Sequence, residues 1–193
     1  MGTHGFITFV ANGEEKTAYN HFDSYPDGLG LDVLEWLLIA RDSVSALREQ
    51  VKALRVVDPE SRPTAEDVER LKKYANQNVS TRALDEWYVL LRATQGDPHA
   101  MLDAGVIEDA SGFPADSLFA EWGYVVDLDT EVFEVYRGFQ TQPHSKGRFA
   151  NRGEGTRSAL GTEYFPVAKI RSWAFHELPT AEEFTAVFAG DDE

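Results

Sequence analysis

The chain contains no cysteine, which excludes disulfides, thiolate nucleophiles and zinc sites built on sulfur. Long apolar runs are missing too. The longest, from Val33 to Ala40, is interrupted by Glu35 and falls well short of the ~18–20 residues of a membrane span. Positive charge is the third scarcity: 18 Lys and Arg face 33 Asp and Glu, for a net charge of −15 over 193 residues. Such a surface repels nucleic-acid backbones and anionic membranes, so neither direct nucleic-acid binding nor a membrane partner is expected. The first residues lack the basic segment and apolar stretch of a secretory signal, and Phe6 stands where a myristoylation motif needs Ser or Thr, which makes the cytoplasm the expected location.

What is present predicts one domain over residues 1–193. The length suffices for a well-buried core, and no low-complexity linker divides it. Gly5 to Val10 and Lys16 to Phe22 flank Asn12-Gly13, a strong hairpin turn. A helical middle, 31–105, follows. Leu31, Leu34, Leu38, Leu47, Val51 and Leu54 recur at helical spacing in one long helix, Thr64 and Asp67 cap a second, and a third begins at Ser80 or Thr81 and stops at Gly96. Asp97-Pro98 starts a short helix that Gly105 ends. Glu121 to Asp127 and Glu131 to Arg137 read as a second hairpin, 139–163 as a long polar loop, Tyr164 to Phe175 as an edge strand, and Pro179-Thr180 with Glu183 as the cap of a last helix. The expected class is α+β, a largely antiparallel sheet from N-terminal and C-terminal hairpins packed against three to four helices.

The segment from Tyr19 to Gly30 mixes polar, aromatic and turn-forming residues between a strand and a helix, a composition found where sites are built. Alternation along a strand puts His21, Asp23 and Tyr25 on one face, where Asp23 can fix the imidazole tautomer of His21 for general-base work. Asn20 and Ser24 add hydrogen-bonding side chains. The competing reading is structural: Asp23 and Ser24 shape a turn, Pro26 fixes it, and His21 packs. Gly28 and Gly30 precede a helix start that can receive an anion on free amides, or can serve simply as a helix-entry turn, because the lysine and glycine spacing of a phosphate loop are missing.

Basic residues gather in the 139–163 loop, including Arg148 and Arg152. They can clamp an anionic ligand or dock on the protein's own acidic surface. Asp127 and Asp129 flank a hairpin turn and read as turn formers rather than metal ligands. The histidines show no ligand spacing, so no metal and no cofactor is expected.

Met1-Gly-Thr-His-Gly5, the block from Tyr19 to Gly30 and Gly123-Tyr-Val-Val-Asp-Leu-Asp129 together resemble a family of small bacterial, phage and fungal proteins of unassigned function. That family shares a Met-Gly-Thr-x-Gly start and a YNxxDSYPxGLG block, with a basic residue, often arginine, where this chain has His4. A weaker similarity links the chain to N-terminal-nucleophile hydrolases, and it implies Thr3 as nucleophile with Asp23-Ser24 on the next strand. Such a nucleophile needs a free α-amine, and two residues precede Thr3.

Two functions are therefore expected side by side. In the first, His21, Asp23 and Tyr25, with Thr3 and His4 nearby, bind or hydrolyse a small polar or anionic ligand held by Arg148 or Arg152. The alternative is a noncatalytic interaction module, of phage or host-defence character, whose acidic face engages a basic protein partner. A cleft holding His21 and Asp23 favours the first; an acidic face without it favours the second.

Overall fold

The computed structural model describes residues 2–79, 84–153 and 155–189. The chain opens with the expected hairpin, β1 (Gly5–Ala11) and β2 (Glu14–Asn20), paired in register from Gly5–Asn20 to Ala11–Glu14. Asn12 and Gly13 both take positive φ, as a tight hairpin turn requires. Their backbone amides donate to the carboxylate of Asp129 at 2.9 and 2.7 Å, which ties this turn to the other hairpin.

The helical middle is more broken than the leucine spacing predicts. α1 (Leu31–Ala40) and α2 (Val44–Ala53) are separated by a tight turn at Arg41–Ser43. The short strand β3 (Arg55–Val57) follows, then α3 (Ala65–Leu71), which begins with the expected reciprocal cap between Thr64 and Asp67. The start of the third predicted helix, at Ser80 or Thr81, lies outside the described residues. Its later part forms α4 (Trp87–Leu90). α5 (Pro98–Ala104) is capped by Asp97 and ended by Gly105 at φ 66°, and β4 (Val106–Glu108) pairs in parallel with β3.

β5 (Trp122–Asp127) and β6 (Val132–Arg137) form the second hairpin. Asp127 shapes its turn by accepting the amides of Asp129 and Thr130, each at 3.0 Å. After the short pair β7 (Thr156–Arg157) and β8 (Glu163–Tyr164), β9 (Ala168–Ala174) pairs with β6, and α6 (Ala181–Phe188) starts on the Thr180–Glu183 capping box. The polar end at 190–193 lies outside the described residues.

The main sheet runs β2-β1-β5-β6-β9. It is antiparallel except at its centre, where the hairpins join through parallel β1 and β5. The α+β class and the largely antiparallel sheet are as expected; the parallel joint is not, because nothing local encodes pairing between strands more than 100 residues apart. One face packs Ile7, Phe9, Tyr124, Val126 and Phe133 against α1, α2, α5 and α6. On the other face Phe6, Val10, Val125 and Tyr136 meet Phe149 and Val167.

On that second face the long polar segment 139–163 docks on the protein's own acidic surface, one of its two expected uses. The segment is a strap, with Phe149 fully buried and the Arg148 guanidinium among three carboxylates. Arg148 reaches Asp127 at 2.6 Å, Glu134 at 2.9 Å and Glu15 at 3.5 Å, while Arg152 reaches Glu15 at 2.6 Å and Lys169 reaches Glu134 at 3.1 Å. Burial opposes ionisation of Asp127 and Glu134, but the Arg148 hydrogen bonds and charge outweigh it and hold both carboxyls below their usual range. Arg148 and Arg152 are thus structural anchors, and the substrate-clamp expectation fails because both cations are already bound to the protein's own acids.

Arg148→Met should lower stability by about 3–5 kcal/mol, since it leaves buried Asp127 without a cation and Glu134 with Lys169 alone. The depressed pKa values of Asp127 and Glu134 supply stability that is complete above the ordinary carboxylate range and lost as pH falls through the folded-state values. The gap in urea midpoint between wild type and variant should therefore narrow in acid, and urea unfolding over a pH series checks it.

Candidate functional site

The block from Tyr19 to Gly30 is first a mechanical joint between β2 and α1. Asn20 is buried, and its Nδ2 donates to Phe22 O and, at 2.9 Å, to Ser24 Oγ. Ser24 is fully buried; its amide donates to Thr3 O at 3.3 Å, and its carbonyl accepts the Tyr124 hydroxyl at 2.9 Å. Asp23 takes φ 54°, a conformation Asp tolerates better than most residues, and its carbonyl accepts the Leu29 amide at 2.9 Å. Gly28 is required by closeness, because a Cβ there would lie 2.5 Å from Asp23 O. Gly30 packs closely against Tyr124 and Phe184, which a Cβ there would meet at 2.9 and 3.1 Å.

This geometry settles several expectations against chemistry. The amides of Gly28 and Gly30 donate to Tyr25 O, each at 3.1 Å, and the Leu31 amide bonds to the carbonyls of Gly28 and Pro26, so these amides are not available to cradle an anion. Asp23 is exposed and makes no hydrogen bond or ion pair with His21 among the described residues, because its left-handed backbone turns the strand alternation off before Asp23 can face His21. Tyr25 is exposed and shares no hydrogen bond or ring contact with His21 among the described residues. Thr3 is 2% exposed, in the interior of the joint rather than at an open strand end as the nucleophile of an N-terminal hydrolase would need.

His4 and His21 are brought together, as strand pairing predicts. Their rings stack at 5.0 Å, and Tyr19 Oη lies 2.8 Å from His21 Nδ1. Burial chiefly, with the Tyr88 charge, pushes Tyr19 up to about 12 against the pull of Arg92, so the phenol keeps its proton and can donate it to Nδ1. In the tautomer that accepts it, His21 carries its own proton on Nε2. Burial first, then the neighbouring His4 and Arg92 charges, hold His21 below the usual histidine range. Arg92 itself lies over Phe22 at 4.9 Å and Tyr88 at 5.6 Å. Beside Tyr19 the opening is a void of about 20 Å³, too small for a ligand.

The substantial opening lies elsewhere, a groove of about 920 Å³ between α1–α2 and α5. Asp32, Glu35, Trp36, Ile39 and Ala40 of α1, then Ala46, Leu47 and Gln50 of α2, line one wall. Asp32, Glu35 and Ile39 lie on the exposed side of α1, while Trp36, Ala40 and Leu47 sit at the border with the core that Val33, Leu34 and Val51 build. Asp97, Pro98, Leu102 and Asp103 line the other wall. Asp103 is paired with Lys73 at 2.9 Å and with Tyr74, and Asp97 caps α5. Asp32 and Glu35 have no hydrogen bond or ion pair among the described residues. Burial, then the charges of Glu35, Asp97 and Asp23, raise the Asp32 carboxyl above its ordinary value. His99 is the sole titratable lining residue that can carry positive charge. Sequence reasoning missed this site, although Ile39, an apolar residue on the exposed side of α1, was its visible signal.

The joint and the groove touch: a Cβ on Gly96, which lines the groove, would meet Asn20 Oδ1 at 3.0 Å. No group of three or more potential metal-ligating side chains occurs among the described residues. Compared with protein-family models, curated proteins and solved structures, the chain shows no significant match to any.

Asn20→Ala, which leaves buried partners unsatisfied, should cost about 1–3 kcal/mol, and Gly28→Ala should cost a similar ~1–3 kcal/mol by overpacking. Asp23→Asn, which keeps a residue tolerant of positive φ, should stay within about 0.5 kcal/mol. Thermal unfolding of the three variants checks this ranking. In an NMR titration His21 should protonate below the usual histidine range, and His4→Gln should restore part of the shift and leave the larger share, which comes from burial.

Proposed function

We propose that this protein is a noncatalytic interaction protein whose acidic groove receives a basic partner. The observation that carries the reading is the pair Asp32 and Glu35, without a cation among the described residues and crowded enough that Asp32 is raised by burial and by three like charges. Uncompensated carboxylates oppose the folded state through mutual repulsion, and residues that reduce stability in this way are the usual mark of a surface kept for binding. A cationic partner supplies what the chain leaves out, and the overall charge of −15 steers it in. The enzyme reading has less support: the groove holds neither His21 nor Asp23, and Arg148 and Arg152 are paired with the protein's own carboxylates.

One observation keeps a polar-ligand reading beside it. With Tyr19 donating to Nδ1, the Nε2–H of His21 has no partner among the described residues, and half-buried His4 lies against it. This pair can donate hydrogen bonds to a small polar group at the surface.

Calorimetric titration with poly-lysine tests the main proposal. Asp32→Asn with Glu35→Gln should weaken binding about tenfold or more, roughly 1.4 kcal/mol, while Glu60→Gln with Glu182→Gln, exposed carboxylates outside the groove, should change it little at the same net charge. Equal weakening by both pairs would mean diffuse attraction and no site.

A further inference from the structure

Resting on the reading of the groove as the binding surface, we propose that its occupant is an amphipathic helix with one apolar stripe flanked by Lys or Arg. Three features of the groove point to this partner. The first is the composition of its walls. Beside the carboxylates of Asp32 and Glu35 the groove is lined by the partly exposed apolar side chains of Trp36 and Leu102, with Leu47 buried beneath, and Ile39 is 82% exposed. A purely polar cation would leave that apolar lining in water, whereas apolar side chains that cover it gain roughly 25 cal/mol for each Å² removed from solvent.

The second is the backbone of the walls. Both are largely helical, α1 and α2 on one side and α5 on the other, and none of the lining residues belongs to a strand. The groove offers no open strand edge to an extended peptide. A segment that enters it must satisfy its own backbone, which a helix does and a strand does not.

The third is charge spacing. Asp32 and Glu35 stand three residues apart on one helix face, next to Trp36 and Ile39 at the following turn. A partner helix that places Lys or Arg on one flank of its apolar stripe meets both carboxylates while the stripe meets the apolar lining. A second copy of this chain does not fit this description, because its own charge of −15 would bring carboxylates to carboxylates.

The test uses the full chain and two peptides of identical Leu and Lys content, one with its leucines on a single helical face and one scrambled, with spermine as a small polycation. The segregated peptide should bind at least tenfold more tightly than the scrambled one and gain helical circular dichroism on binding. Ile39→Ser, at an exposed position that leaves the core intact, should reduce that preference several-fold without affecting the scrambled peptide. Equal binding of the two peptides, or displacement of both by spermine at matched charge, would overturn the helix proposal while leaving a basic-partner site in place. Absence of binding by all three would overturn both.

Discussion

Cations are the scarce resource of this chain, and where they are placed decides which surfaces remain acidic. Arg148 sits among Glu15, Asp127 and Glu134, and with Arg152 and Lys169 it fastens the strap across one face of the sheet. Lys16 extends from β2 to the carbonyls of Val51, Lys52 and Leu54 at 2.7 to 2.9 Å, a position where a positive charge meets the negative end of α2. Arg70 and Arg41 likewise donate to the carbonyls of Ala104 and Phe175. These cations hold strap, hairpin and helices together, and among the described residues Asp32 and Glu35 on the α1 wall of the groove receive none. The same distribution that builds the fold leaves Asp32 and Glu35 exposed to each other.

The joint at Tyr19 to Gly30 shows how a segment that reads as chemistry can be architecture. Its side chains are polar because a reversal between a buried strand and a buried helix must satisfy backbone groups that no regular element reaches. Asn20, Ser24 and the Tyr124 hydroxyl do that work inside the molecule, and two glycines let the turn close against Asp23 and Tyr124. Because the joint sets the start of α1, it also sets the groove wall that α1 carries, and Gly96 on that groove packs against Asn20.

Local chemistry was legible in the sequence and non-local pairing was not. Asn12-Gly13, the Thr64 and Thr180 caps, Asp97-Pro98 and Gly105 each act over a few residues, and each lies where those residues predict. The parallel contact of β1 with β5 and the docking of Arg148 depend on partners far away in the chain, about which spacing says nothing. The His21–Asp23 pair failed for a definite reason: strand alternation stops at Asp23, where φ turns positive. The groove escaped notice because its residues are shared with an ordinary amphipathic helix, and only Ile39 on the exposed side of it betrays a second use.

The central claim is that the groove carboxylates lack a compensating cation, and the most direct measurement is the titration of Asp32 by carboxyl-detected NMR in the protein alone. The account predicts an apparent pKa above that of an ordinary aspartate, raised by burial and by Glu35, Asp97 and Asp23. A value at or below the ordinary one would mean that the protein itself already neutralises the groove, and would contradict the account.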